Sequence, residues 1–294
     1  MVTHRFVPDP LLIEGARYAL HCAPLNCGKG VARGETVSCD WYHGFWPQLR
    51  LLGLGSDPLR HSDFFESALE RLPRRRDPLR VLVCGTADFA MPALVRQRCL
   101  ALDLPCEITV LDRCPTPLLL SRWHADRMDW SIATVTADLM EWRSTEVFDL
   151  IITHSFFPLF PPQDRSQVAA AWRELLRPGG RVITVSRVGT DSGIVESSVA
   201  AAQLADAAVR KARARPEACV MPVDAIAAAA AEFARRLPVH PMGDVAATRQ
   251  LFEAQGFSLR CFQVRRSPGA ARLASTSVGV AKPAEYAEIV AERC

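Results

Sequence analysis

Long apolar runs and signal-like segments are missing from this sequence of 294 residues. No stretch of about 18 consecutive apolar residues occurs, which argues against a membrane-spanning helix. The first ten residues lack the apolar core of a secretory signal peptide. We therefore expect a cytoplasmic protein without a membrane partner, in which the ten cysteines are reduced thiols.

An excess of charge of one sign is also missing. The 35 Lys and Arg residues against 32 Asp and Glu residues give a net charge of +3. This near-balance gives no electrostatic reason to expect a nucleic-acid partner. The hydrophobic content of 49% excludes a disordered chain, because it supplies enough apolar surface for a folded core.

The sequence changes character near residue 79. Residues 1–78 carry aromatic clusters and loop residues, and we interpret them as an N-terminal segment that covers a substrate site. Residues 79–294 alternate between apolar β-branched runs and amphipathic segments, which predicts βαβ units with a mostly parallel sheet. Within them, the Ala-rich residues 188–243 break the alternation and are interpreted as a helical insertion after the fifth strand.

The periodicity places each element of this α/β fold. Strands are predicted at Arg80–Cys84, Glu107–Asp112, Ile132–Thr136, Phe148–Thr153, Arg181–Arg187, Phe257–Arg265 and Ala274–Ala281. Helices are predicted at Ser62–Leu72, Phe89–Ala101, Pro117–Asp126, Gln163–Leu176, Val195–Ala214, Val223–Arg236 and Asp244–Gln255. The last two strands are expected to form an antiparallel hairpin at the edge of the sheet.

Candidate ligand-binding residues follow the predicted strands, where open α/β sheets bind their ligands. The first strand ends in Cys84-Gly-Thr-Ala-Asp88, a turn of small residues that lets the backbone approach a ligand. Asp112 ends the second strand, 27 residues after Gly85, and a carboxylate there can accept both hydroxyls of a ribose. The third strand is followed by Ala137-Asp-Leu139, whose polar groups can reach an adenine amino group.

Five pieces in order over about residues 79–282 resemble class I S-adenosylmethionine-dependent methyltransferases. They are Val110-Leu-Asp112, Ala137-Asp138, Phe148-Asp-Leu-Ile-Ile-Thr153, Trp172-Arg-Glu-Leu-Leu-Arg-Pro-Gly-Gly-Arg181 and Gln255-Gly-Phe257. The resemblance implies a Rossmann-like seven-stranded sheet with helices on both faces, and S-adenosylmethionine as cofactor. It also implies cofactor-binding residues, namely Gly85, Thr86, Ala87, Asp88, Asp112, Arg113, Asp138, Leu139, Thr153 and His154, of which Thr153 and His154 would face the transferred methyl group.

The first motif departs from the family pattern. Val83 stands where an acidic residue is usual, and the turn that follows has one glycine, Gly85. Asp88 either replaces the missing carboxylate at the cofactor's amino group or caps the next helix. A Rossmann-like domain that binds another nucleotide is an alternative, but its phosphate turn would normally be richer in glycine.

Methyl transfer requires an acceptor held in line with the methyl group and, for some acceptors, a base. His154 and His43 are the candidate bases. An aromatic set is predicted to contact a small-molecule substrate, with core packing as the alternative for the phenylalanines: Trp41, Tyr42, Trp46, Phe156 and Phe157. Alternative functions are intramolecular cyclisation or aminocarboxypropyl transfer, both releasing methylthioadenosine, and a cofactor-binding module without catalysis.

The preferred interpretation includes no metal. Four residues of the N-terminal segment nevertheless have the ligand types of a structural zinc site, Cys22, Cys27, Cys39 and His43, although their spacing is looser than in usual zinc fingers. Most of the other cysteines are predicted to be small buried hydrophobic residues. Cys114 follows Asp112 closely and is a candidate lining residue of the adenosine pocket.

Overall fold

A computed structural model describes residues 9–28, 38–73, 77–189, 197–237, 240, 242–267 and 284–294. The strands are β1 (Leu79–Cys84), β2 (Cys106–Asp112), β3 (Ala133–Thr136), β4 (Phe148–His154), β5 (Leu176–Val188), β6 (Phe257–Ser267) and β7 (Ala284–Arg293). The helices are α1 (Pro10–Asn26), α2 (Asp40–His43), α3 (Trp46–Leu51), α4 (Ser62–Glu70), α5 (Ala90–Ala101), α6 (Pro115–Arg127), α7 (Arg165–Leu175), α8 (Ser197–Ala214), α9 (Val223–Arg236) and α10 (Val245–Ala254).

The seven strands form one sheet in the order β3-β2-β1-β4-β5-β7-β6. Strands β1 to β5 pair in parallel, and β7 pairs antiparallel with both β5 and β6. The chain order reverses between β1 and β4, so the carboxyl ends of these strands flank the crevice where such sheets bind ligands.

Each face of the sheet has its own hydrophobic core. Val81 and Val83 of β1 pack with α4 and α5 on one face, whereas Leu82 and Cys84 pack with α7 and α10 on the other. This alternation follows from the two-residue period of a strand. Trp172 of α7 is fully buried in the second core. The predicted mostly parallel sheet with helices on both faces is therefore confirmed.

The N-terminal helices and the segment after β5 pack against each other. Leu49 and Leu52 lie in one apolar cluster with Ala208 of α8 and Phe233 of α9. The side chain of Gln48 joins the same segments, since it donates to the carbonyl of Ala218 (2.8 Å) and accepts from the N–H of Val220. Helices α8 and α9 occupy the predicted insertion.

The end of the chain differs from the expectation. The predicted strand Ala274–Ala281 lies outside the described residues, and the seventh strand is Ala284–Arg293. The antiparallel partner of β6 is β7 and not the predicted strand 274–281, and β7 also pairs with β5 and is therefore internal to the sheet. In the part of the chain that the structure describes, no helix combines the length and apolarity needed to cross a bilayer.

Candidate active site

A cavity of about 490 Å³ lies at the carboxyl ends of β1, β2 and β4. Its volume is in the range of about 300–1,000 Å³ that small-molecule sites occupy. The predicted site residues that line it are Trp41, Tyr42, His43, Trp46, Gly85, Thr86, Ala87, Asp88, Asp112, Arg113, Asp138, Leu139, His154 and Phe156. The topology thus gathers most of the predicted set around one space.

Asp112 is half-buried at the end of β2 and is held by two backbone groups. The N–H of Thr86 donates to Oδ2 (3.1 Å) and the N–H of Cys114 donates to Oδ1 (2.8 Å). Burial raises the pKa of this carboxyl, and the nearby His43 opposes that rise. An ionised carboxylate accepts up to about four hydrogen bonds, so acceptor positions remain for two ligand hydroxyls.

The turn after β1 needs glycine at position 85. Gly85 has a φ of +63°, and a β-carbon there would lie 2.2 Å from the ring of Phe156. A side chain at this position meets both a backbone penalty and a steric clash. The tight contact fixes the Phe156 ring against the turn at the edge of the cavity.

Asp88 hydrogen-bonds to the start of α5 and pairs with Arg50, which favours the capping alternative. Its Oδ1 accepts from the N–H of Ala90 (2.7 Å) at the start of α5. Its Oδ2 forms a buried ion pair with Arg50 (2.7 Å), which also pairs with Asp57 (3.3 Å). Because the charge of Asp88 is paired with Arg50 and only 1% of the residue is exposed, the structure does not favour Asp88 as the holder of a cofactor amino group.

Two predicted residues lie away from the cavity. Thr153 is fully buried and, by strand alternation, projects from the opposite face of β4 to His154. Phe157 is fully buried in the core, in edge contact with Trp172 (ring centroids 4.7 Å apart) and Phe252 (5.6 Å). The structure therefore does not bring Thr153 and Phe157 to the cavity wall with the other predicted site residues, because both are fully buried.

His154 lines the cavity next to a second histidine. Burial, reinforced by the nearby His61, lowers the pKa of His154 to about 3. The ring of His61 is 5.7 Å from that of His154, and its Nδ1 bonds Glu288 (2.7 Å). His154 is therefore a neutral imidazole at physiological pH and a weak base.

An aromatic group made of Trp41, Tyr42 and Trp46 covers one side of the cavity. Tyr42 stacks on Trp46 (5.6 Å) and on Phe233 of α9 (5.5 Å). Burial raises the pKa of the Tyr42 hydroxyl, so this hydroxyl stays protonated. Leu237, after α9, lines the same cavity, so the N-terminal segment and the insertion both contribute to its wall.

Sequence reasoning missed Ser56 and Ser155. Their hydroxyls are 3.2 Å apart on the cavity wall, one from the N-terminal segment and one from the turn after β4. Ser155 has a φ of +54°, an uncommon conformation for a residue with a side chain and one that concentrates at functional sites. A serine directly after a buried strand was the available signal, whereas its partner becomes visible only in the tertiary structure.

Residues 81–180 match the methyltransferase domain family. A stretch of 57 residues is 42% identical to thiocyanate methyltransferase 1 of Arabidopsis thaliana, over 19% of this chain and 25% of that protein. The match thus spans about a quarter of that curated relative.

Two solved structures share the fold. A candidate O-methyltransferase of Nostoc punctiforme is 16% identical, with a TM-score of 0.51, over 97% of this chain and 69% of that one. A candidate methyltransferase of Bacillus halodurans is 13% identical, with a TM-score of 0.51, over 79% and 99%. Residues 81–180 thus carry a methyltransferase domain, which confirms the resemblance found in the sequence, and S-adenosylmethionine is the cofactor that such a domain binds.

Proposed function

We propose that this protein transfers the methyl group of S-adenosylmethionine to a small-molecule acceptor. The observation that carries the proposal is the half-buried Asp112 at the end of β2, facing a cavity that also holds Asp138 and Leu139 after β3. This arrangement suits a nucleoside, with the ribose hydroxyls on Asp112 and the adenine beside Leu139. Asp138 is buried and its Oδ1 accepts from the N–H of Met140 (2.9 Å), which orients the carboxyl.

The residues around the cavity favour transfer without a strong protein base. When bound, S-adenosylmethionine supplies an electrophilic methyl group on its sulfonium sulfur. Phe156 offers an aromatic face to a nearby cation. The neutral His154 contacts an acceptor but is too weak a base to remove a proton from an alcohol. We therefore favour acceptors that arrive as anions or as neutral amines, and the local similarity to a thiocyanate methyltransferase supports the same choice.

The aromatic group favours a small acceptor over a macromolecule. Trp41, Tyr42 and Trp46 form part of the cavity wall and are themselves packed on Phe233 of α9. An acceptor must therefore fit beneath two segments of the chain, where water is excluded from the reacting atoms. In this proposal residues 1–78 act as a substrate-binding lid on the domain that begins at residue 79.

Calorimetry on the full chain tests the cofactor. We expect saturable binding of S-adenosylmethionine with a Kd below about 1 mM, the upper end of common enzyme affinities, and no comparable binding of NAD. Absence of binding at that level would overturn the proposal.

Product analysis with a panel of thiocyanate, iodide, thiols and amines then tests the reaction. Methyl transfer leaves S-adenosylhomocysteine, whereas cyclisation or aminocarboxypropyl transfer leaves methylthioadenosine. Methylthioadenosine as the product would replace this proposal with one of those reactions.

A further inference from the structure

Four metal-binding side chains meet beside the cavity. Cys27 follows α1, Cys39 precedes α2, His43 ends α2, and Cys114 lies between β2 and α6. Their ligand atoms all lie within 4.8 Å of one another. The sulfurs come from three separate parts of the chain, so tertiary folding rather than local sequence brings them together.

Three of the six distances among these ligand atoms are close to the edges of a zinc tetrahedron, and all six are within 4.8 Å. The sulfurs of Cys39 and Cys114 are 3.5 Å apart, those of Cys27 and Cys114 are 3.6 Å apart, and Cys27 Sγ is 3.6 Å from His43 Nδ1. With Zn–S bonds of about 2.3 Å and Zn–N bonds of about 2.0–2.1 Å, tetrahedral angles require edges of about 3.8 Å between sulfurs and about 3.6 Å between sulfur and nitrogen.

We propose that Cys27, Cys39, His43 and Cys114 bind one Zn²⁺ in a closed structural site. Three thiolates and an imidazole are a known donor set for structural zinc, and all four positions are filled by protein. Cys27, His43 and Cys114 are buried, which shields the site from competing water. A disulfide would need two sulfurs at about 2.05 Å and would leave the third thiol and the imidazole unused.

The ligand set corrects the one predicted from spacing. Cys22 is buried one turn earlier in α1, and its thiol donates to the carbonyl of Ala19 (3.9 Å) instead of joining the group. Cys114 takes the fourth position, which no local spacing indicates. Cys22 is therefore a natural control residue, since it has the same chemistry and burial but lies outside the site.

Zinc at this position joins the N-terminal segment to the turn that holds Asp112. The backbone N–H of Cys114 donates to Asp112 Oδ1 (2.8 Å), and Cys39, His43 and Cys114 also line the cavity. The metal thereby fixes the aromatic group relative to the proposed ribose position. It also assigns His43 to metal binding instead of proton transfer.

Metal analysis of the full chain, purified without chelators, tests the site independently of any activity. We expect about one zinc per chain, with copper and iron far below that level. X-ray absorption on the same sample should give three sulfurs at about 2.3 Å and one nitrogen at about 2.0 Å. Zinc absent after reconstitution, another metal at stoichiometric level, or a Cys39–Cys114 disulfide found by mass spectrometry would each overturn the proposal.

Variants identify the ligands. In chelator competition Cys114→Ser should bind zinc at least hundredfold more weakly, because even a change at a residue that only hydrogen-bonds to a ligand lowers metal affinity about 10–100-fold. Cys22→Ser should keep wild-type retention, and equal loss in the two variants would overturn the assignment. If Cys114→Ser does not fold, cobalt bound to the unaltered chain gives the answer: tetrahedral visible bands with sulfur charge transfer support the site, and an octahedral spectrum overturns it.

Discussion

Asp112→Asn is expected to weaken the binding of S-adenosylmethionine while leaving the shape of the site intact. The carboxylate makes two hydrogen bonds to backbone N–H groups, at 3.1 and 2.8 Å, and has acceptor capacity for two ribose hydroxyls. The amide removes the charge and one acceptor oxygen. Loss of charge-assisted hydrogen bonds costs about 1–3 kcal/mol, which corresponds to a Kd about 5–150-fold higher.

Calorimetry gives the affinity, and thermal unfolding must be measured in parallel. The amide also leaves one of the two backbone N–H groups without a good acceptor, so some loss of stability is expected along with the loss of affinity. Glu107→Gln is the matched control, because Glu107 is exposed on the same strand, far from its carboxyl end. A folded Asp112→Asn variant with the wild-type Kd would refute the placement of the ribose.

Three further predictions concern stability. Arg50→Met should lower the free energy of unfolding by about 3–5 kcal/mol, because it leaves the buried Asp88 carboxylate without its partner. In chemical denaturation, the double variant with Asp88→Asn should recover part of that loss. Gly85→Ala should lower the free energy of unfolding by about 1–2 kcal/mol because of the left-handed backbone, and by about 1–3 kcal/mol more because of the clash with Phe156. Gly53→Ala has open space around it and should lose only the backbone contribution. The pKa of His154 is about 3 in the folded chain and about 6.5 in the unfolded chain, so the unfolded chain takes up this proton first as the pH falls. This difference should lower the free energy of unfolding by about 2 kcal/mol between pH 7 and 5. Chemical denaturation at both pH values should show that His154→Gln removes this loss.

Two controls separate these effects from general sensitivity. The ion pair of Glu66 and Arg98 is 34% and 29% exposed, so its removal should cost no more than about 1 kcal/mol. His21 is exposed, and His21→Gln should keep the wild-type dependence of stability on pH. A large cost at the surface pair, or a flattened pH dependence in His21→Gln, would contradict the role assigned to burial.

The covering of the cavity depends on contacts that join distant segments. Arg50 of α3 reaches Asp88 after β1, and Gln48 reaches the loop between α8 and α9. The partners in each contact are at least 38 residues apart in the sequence, so periodicity and local motifs cannot predict these contacts. The sequence predicted that both segments exist, but not that they pack on each other through Phe233.

Local patterns determined the elements and the strand ends. The β-branched runs and helical periodicity predicted five parallel strands to within a few residues at most ends, because alternation and burial act between near neighbours. The same reasoning placed Asp112 at the end of its strand and Gly85 and Asp138 just after theirs. Parallel strands bring their carboxyl ends to one edge, so these residues were expected to share a site before any contact was visible.

The tertiary structure decided which side chains face the cavity and which serve the fold. Thr153 and His154 are adjacent in sequence but project to opposite faces, and Asp88 binds Arg50 from another helix. The cysteines give the clearest case, because spacing grouped Cys22 with the N-terminal residues whereas folding brings in Cys114 after β2. Sequence patterns record the period of each element, but side-chain partners depend on how the elements pack, and only three-dimensional packing determines that.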